Sequence, residues 1–307
     1  MRLDDQRESG NIEDRRGQRG GGGGGGGLGL ISLIGSRFGI GGIIIAGLLF
    51  LLAPAPIKQM LLGMIGGGGA VQSEPGVVGA PTDVDGQFLA RVLGSTEDIW
   101  SAEFARGAMA HYGYNGRDYP ETTLVAFSGG VGTQCGNATS AVGPFYCPAD
   151  RKVYIDTSFF QEMKTRFEAP GDFAQAYVIA HEVGHHIQTV LGISEQVMRV
   201  RQRGDERLSN LEQVKMELQA DCFAGVWGRK LSETTTGQGL PRMEAGDLEE
   251  GLNAANAIGD DTLQRKARGT VQPESFTHGT SEQRKRWLKR GFDTGDPAQC
   301  DTFSAAT

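Results

Sequence analysis

The stretch DFAQAYVIAHEVGHHIQTVLG, residues 172–192, decides the fold of this 307-residue chain. Residues 176–180 are small or apolar, Asp172 is a suitable N-cap and Gly192 is a suitable terminator, so the stretch predicts one buried helix. Residues 181–185 of this helix read HEVGH. Residues four apart share one helix face and lie about 6 Å apart along the axis, so both histidines of the motif can bind one metal ion.

This HExxH spacing carries a specific chemistry. His181 and His185 supply two neutral imidazoles, which are ligands that zinc takes in catalytic sites. Glu182 follows the first ligand directly and can act as the general base for an attacking water. The motif therefore predicts a zinc site that hydrolyses its substrate, with Glu182 as a catalytic residue.

The predicted helix at residues 207–231 supplies a third ligand. Glu217 and Asp221 are four residues apart and therefore lie on one face of it. Glu217 would complete a set of two histidines and one glutamate, and Asp221 would hydrogen-bond the outer nitrogen of a ligand histidine and fix its tautomer. The alternative interpretation is a solvated acidic face. The apolar residues that follow directly, Cys222 to Trp227, favour burial instead.

Three segments carry a resemblance to a known family: HEVGHHIQ (181–188), MELQADCFAG (216–225) and FTHGTSEQR (276–284). Together they resemble the bacterial membrane-anchored neutral zinc metallopeptidases, which have a Gly-rich N-terminus. HExxH followed by a glutamate on a later helix is also similar to the gluzincin metallopeptidases. The resemblance extends over nearly the whole chain and implies a zinc cofactor and a peptide or protein substrate.

The same resemblance implies a catalytic role for His278, as a hydrogen-bond donor to the oxyanion of the scissile carbonyl. The alternative is a loop histidine ahead of a helix capped by Thr280 or Ser281. No special role is predicted for His186, which points away from the metal face, or for His111 at the end of a predicted helix.

The rest of the sequence predicts an α+β fold dominated by helix. Apolar runs at 122–127 and 153–155 predict short strands. Ser95 and Asp98 form a capping pair that divides 84–113 into two amphipathic helices. Further helices are predicted at 158–167, 172–191, 207–231, 244–258 and 281–291. We expect a zincin-like metallopeptidase domain with a small sheet over residues 83–307, preceded by one transmembrane helix, and an edge strand at Val153 to Asp156 that binds the substrate backbone.

The N-terminal quarter of the chain differs from an ordinary domain. It holds 23 of the 48 glycines within residues 1–82. Residues 1–27, charged and then Gly-rich, predict a disordered tail, and residues 54–82 predict a flexible linker. The apolar run between them, residues 28–53, predicts a transmembrane anchor; a cleaved signal peptide and a buried core helix are the alternatives.

Charge and cysteine placement bear on location. Six arginines precede Phe38, which favours a single-pass membrane protein with a cytoplasmic N-terminus and an extracytoplasmic catalytic domain. That topology would permit a disulfide between Cys135 and Cys147, which bracket a loop-like stretch. Cys222 and Cys300 could pair or remain thiols.

The composition narrows the function classes. The net charge of −7 and the lack of a basic block argue against nucleic acid as a partner, and no particular oligomeric state is indicated. The expected reaction is peptide hydrolysis. The alternative is a membrane-tethered binding or scaffold protein that keeps zinc without turnover. Glu182 argues against this alternative, since a structural zinc site has no use for a general base.

Overall fold

The computed structural model describes residues 1–17, 76–79 and 81–304. Its strands are β1 (Ile12–Asp14), β2 (Val77–Val78), β3 (Thr123–Phe127), β4 (Gly130–Thr133), β5 (Gly136–Thr139), β6 (Phe145–Cys147) and β7 (Lys152–Asp156). Its α-helices are α1 (Val84–Ala105), α2 (Ser158–Thr165), α3 (Asp172–Val190), α4 (Ile193–Arg201), α5 (Glu206–Ser232), α6 (Asp247–Ala257), α7 (Asp260–Arg268) and α8 (Ser281–Thr294). The fold class is helix-dominated α+β with small sheets, as predicted.

The larger sheet has five strands in the order β2-β1-β3-β7-β6. β1, β3 and β7 run parallel, and β2 and β6 run antiparallel to their neighbours at the two edges. The predicted edge position of Val153 to Asp156 is therefore wrong, because β7 pairs with β3 on one side and with β6 on the other. The edge strand at this end of the sheet is β6.

The second sheet is the β4–β5 hairpin, which lies between β3 and β6 in the chain. A disulfide between Cys135 and Cys147 ties this hairpin to β6, which confirms the predicted bridge. Cys222 and Cys300 form a second disulfide that joins α5 to the segment after α8.

Residues 1–17 differ from the sequence-based prediction of disorder, because they belong to the folded unit. β1 lies between β2 and β3, and Ile12 is completely buried. The charges that indicated disorder are paired: Arg7 binds Glu97 at 2.7 Å, and Lys152 binds Glu13 at 2.7 Å. Because these partners neutralise its charges, the segment 1–17 can pack against the rest of the folded unit.

This strand order also corrects the predicted orientation. Glu13 of β1 pairs with Val78 of β2 and with Val125 of β3, so residues 1–17 lie on the same side of any membrane as the rest of the folded unit.

Val78 also falls within the predicted linker, so folded chain begins earlier than residue 82. The predicted transmembrane helix, residues 28–53, lies outside the described ranges. Among the residues that are described, no helix is both long and apolar enough to cross a membrane.

The helices form most of the core around α3. Where two helices were predicted over 84–113, α1 continues to Ala105 and a short 3₁₀ helix follows at Ala108–Tyr112. The hydroxyl of Ser95 donates to the carbonyl of Val92 at 2.7 Å, so it stays within the helix and does not cap a new one. Helices α4 and α7 were not predicted.

Two glycines let the site helices approach closely. A Cβ at Gly184 of α3 would lie 3.0 Å from the Cα of Ala220 on α5. A Cβ at Gly291 of α8 would overlap the carbonyl oxygen of Cys222 on α5. These contacts hold α5 against both α3 and α8, so side chains from all three helices meet in one buried place.

Candidate metal centre

The three predicted ligands meet in the structure. His181 and His185 project from α3 and Glu217 from α5, and each of the three is at least nine-tenths buried. One ligand atom from each lies within 4.8 Å of the others. The Glu217 Oε2 atom lies 3.1 Å from His181 Nε2 and 3.5 Å from His185 Nε2. Two imidazole nitrogens and one carboxylate oxygen are the donor set of a catalytic zinc site.

The electrostatics of this centre favour a bound cation. Burial raises the pKa of Glu217, but the attraction of His185 and hydrogen bonds from both histidines outweigh it and hold this pKa well below its ordinary value. Burial lowers the pKa of His181, yet Asp221 and Glu217 together raise it to about 10. Positive charge is thus retained beside Glu217, and a divalent cation would replace these protons on binding.

Glu182 differs from its neighbours in having a free carboxylate. It is 7% exposed, and this carboxylate makes no hydrogen bond or ion pair with any residue that the structure describes, although its charge acts on His185. Glu217, by contrast, is bound at its other oxygen by the Nε2 of Gln213 at 2.9 Å. Among the described residues, the oxygen atoms of Glu182 are not among the enclosed polar atoms that lack a partner, so the carboxylate is open to solvent beside His185.

Asp221 lies beside His181, one of the predicted ligands, as the sequence predicted. Its Oδ1 atom is 2.8 Å from His181 Nδ1 and accepts from the Tyr177 hydroxyl at 2.6 Å. Arg284 of α8 adds two charge-assisted bonds of 2.9 Å, from Nε to Oδ2 and from Nη2 to Oδ1. The His181 Nδ1 position is therefore fixed by a carboxylate that a buried arginine balances.

Arg284 and Tyr177 had no predicted role. The spacing of Arg284 to Trp287 and Leu288, three and four residues on, places the arginine on the buried face of α8, and that was the available signal. The carboxylate that Arg284 contacts depends on how α8 packs on α5. Local sequence does not determine that packing.

His278 lies in the loop before α8, and half of its side chain is exposed. Its Nδ1 is 3.2 Å from Asp260 Oδ1, while Asp260 Oδ2 accepts backbone N–H bonds from Thr277 and His278 at 2.7 Å each. The hydrogen bond to Asp260 is the main cause that raises the pKa of His278, and the charge of Glu217 adds to it. Thr280 caps α8, as one interpretation expected.

The other two histidines lie away from the ligand cluster. His186 is buried, with its Nε2 2.5 Å from the carbonyl of Pro120 and its Nδ1 3.1 Å from the Tyr146 hydroxyl. Burial lowers its pKa to about 4, so it is neutral. His111 lies 3.3 Å from Asp301 on the surface.

The comparisons with known proteins show the family to which the chain belongs. The pattern of the family described as "Putative neutral zinc metallopeptidase" matches residues 1–303. A similar protein is "Uncharacterized protein YpfJ" of Escherichia coli strain K12, 47% identical over 308 residues that cover 99% of each chain. "Uncharacterized protein Rv2575" of Mycobacterium tuberculosis is 46% identical over 193 residues, which is 61% of this chain and 64% of the relative. No solved structure matches.

Proposed function

We propose that this protein is a zinc-dependent peptidase. The observation that carries the proposal is the convergence of His181, His185 and Glu217, with the Glu182 carboxylate near enough for its charge to act on His185. A structural zinc site is closed by four protein ligands, whereas three ligands leave a position for a reactant. The free carboxylate supports turnover over a zinc-containing binding or scaffold role.

His181, His185 and Glu217 would hold the zinc, which supplies Lewis acidity to the scissile carbonyl when bound. Glu182 would take a proton from the attacking water and return it to the leaving amine. Asp221, balanced by Arg284, keeps the hydrogen of His181 on Nδ1 and leaves Nε2 free to ligate.

We assign the oxyanion contact to His278 in its protonated form. Asp260 accepts the Nδ1 hydrogen, so a neutral ring would present only a lone pair at Nε2. The imidazolium has a hydrogen at both nitrogens and can donate from Nε2 to the developing negative charge. Asp260 would thus orient the His278 ring and stabilise its protonated form.

We place the substrate backbone along the free edge of β6. This strand ends the sheet on the side of α3, and the Tyr146 hydroxyl of β6 bonds to His186, next to the ligand His185. An extended peptide that adds a strand there would pass alongside the zinc helix.

We further propose that the folded unit functions in an oxidising compartment, outside the cytoplasm. Two disulfides join its segments, and such bridges persist in oxidising surroundings. The strands on either side of the predicted anchor, β1 and β2, are paired with each other, so both lie in the same compartment as the rest of the folded unit.

The test uses the full chain, because residues 1–17 form part of the fold. Zinc content and cleavage of a peptide library are measured for the parent and for Glu182→Gln. We expect one zinc in each and a loss of cleavage of about 100- to 10,000-fold in the variant, the range for a general base. Equal cleavage by both proteins, or no zinc in the parent, would refute the proposal.

A further inference from the structure

The outer nitrogen of His185 contacts a neutral amide, not a carboxylate. Its Nδ1 lies 2.9 Å from Oε1 of Gln188, one turn further along α3, and both residues are buried. His181 has the charged Asp221 in the corresponding position. The two histidines of the centre are therefore held by partners of different charge.

The Gln188 amide is the middle of a buried chain of hydrogen bonds. Its Nε2 donates to the carbonyl of Met216 at 2.7 Å and to Gln219 Oε1 at 3.0 Å. Gln219 Nε2 in turn donates to the carbonyl of Cys300 at 3.0 Å. Both glutamines are completely buried, so water does not substitute for any of these partners.

The two backbone carbonyls fix the direction of the whole chain, because a carbonyl can only accept. The nitrogen of Gln219 must face Cys300, which turns its oxygen towards Gln188. The nitrogen of Gln188 must then face Met216 and Gln219, which turns its oxygen towards His185. Turning either amide round would bring acceptor against acceptor in the interior, and unpaired buried polar groups are costly.

The direction of these bonds decides the tautomer of His185. An acceptor oxygen at Nδ1 requires a hydrogen on Nδ1, so in the neutral ring the lone pair lies on Nε2. Nε2 is the atom 3.5 Å from the Glu217 carboxylate, on the ligand side of the ring. The carbonyls of Met216 and Cys300 thus leave the lone pair of neutral His185 on Nε2, the nitrogen that faces the proposed metal position.

The far end of the chain is fixed to the helix that carries Glu217. Cys300 is bonded through its disulfide to Cys222, which follows Glu217 on α5 by five residues. The carbonyl that Gln219 contacts is therefore held near its own helix. The disulfide therefore joins the helix that carries Glu217 to the carbonyl of Cys300, which holds His185 through the two glutamine amides.

We propose that Gln188 and Gln219 are positioning residues, which hold His185 in the Nδ1–H form and so set the metal affinity of the centre. This inference rests on the proposed zinc role of His181, His185 and Glu217. A partner of a ligand histidine contributes about 10- to 100-fold to metal affinity in known sites.

The test measures zinc affinity of the full chain by competition with a chelator, for Gln188→Leu and Gln219→Leu. The matched control is Val226→Ala, a completely buried position on α5 outside the amide chain. We expect Gln188→Leu to weaken zinc binding by about 10- to 100-fold, and Gln219→Leu to weaken it less, since Gln188 keeps its bond to Met216. The control should bind zinc like the parent although its metal-free form melts at a lower temperature.

Two readouts separate positioning from a folding defect. The absorption spectrum of the Co²⁺-substituted protein should change in Gln188→Leu and remain as in the parent in Val226→Ala. Parent-like zinc affinity in Gln188→Leu would overturn the inference, as would a loss in the control equal to that in the glutamine variants. A parent that binds no zinc would refute the proposed function instead, so the two failures are distinguishable.

Discussion

Replacing Arg284 by methionine tests the buried charge pair behind the metal centre. Arg284 is 3% exposed and Asp221 is completely buried, and the pair is joined by two bonds of 2.9 Å. Methionine fills much of the same volume but leaves Asp221 with only Tyr177 and His181 as partners. Removing one member of a buried ion pair costs about 3–5 kcal/mol. We expect that loss in the free energy of unfolding of the metal-free protein, measured by urea denaturation at pH 7.

The sign of the pH dependence provides a second check. Burial raises the pKa of Asp221, but Arg284 and His181 lower it from 3.8 to about 2. A lowered pKa in the folded state adds stability above the unfolded pKa, and this stability is lost as the pH falls through the folded pKa. In Arg284→Met the pKa of Asp221 rises towards or above its unfolded value. The deficit of the variant should therefore be largest near neutral pH and shrink as the pH falls below about 4.

Two further variants make the result decisive. Arg286→Met changes an exposed arginine on the same helix and should shift stability by no more than about 0.5 kcal/mol. Combining Arg284→Met with Asp221→Asn removes the unbalanced charge but leaves an oxygen for His181, so part of the lost stability should return. A loss below about 1 kcal/mol in Arg284→Met, or no recovery in the double variant, would refute a structural role for the charge pair.

Three other predictions follow from the contacts. Ile12→Ala should lower the free energy of unfolding by about 2–5 kcal/mol in urea titrations, since Ile12 is completely buried; no change would mean that β1 does not pack. Replacing both Cys222 and Cys300 by serine opens a bridge across 78 residues and should cost about 4.5 kcal/mol on the chain-entropy relation, seen as a lower urea midpoint; an unchanged midpoint would contradict the bridge. Asp260→Asn should lower the pKa of His278, so the alkaline limb of kcat moves to lower pH; an unmoved limb would exclude the imidazolium as donor.

The parts of the fold that sequence spacing predicts are local ones. Helix α3 follows from apolar residues in helical register, and the shared face of His181 and His185 follows from a separation of four residues. Glu217 and Asp221 obey the same spacing on α5. Their meeting with the histidines is a tertiary contact, which the family resemblance supported and the spacing alone did not.

The parts that were missed depend on contacts distant in the chain. Residues 1–17 have the composition of a disordered segment, and only Glu97 and Lys152, far along the chain, reveal how Arg7 and Glu13 are paired. The edge position of β6 depends on how β7 pairs on both sides, which a run of β-branched residues does not indicate. Gln188 stood within the quoted motif, yet a glutamine on a helix is usually solvated, and only packing distinguishes the two cases.

In the proposed peptidase, the charges of the centre also favour one carboxylate as the base. Asp221 is balanced by Arg284, and Gln188 is neutral, so neither partner of a ligand histidine adds net charge. Two neutral histidines and one glutamate leave a divalent cation with one positive charge uncompensated. The carboxylate adjacent in sequence is that of Glu182, which has no hydrogen bond or ion pair among the described residues and whose charge acts on His185. A carboxylate in place of Gln188 would compete for that charge, so in the proposed mechanism the neutral amide would leave the attraction of the metal to Glu182.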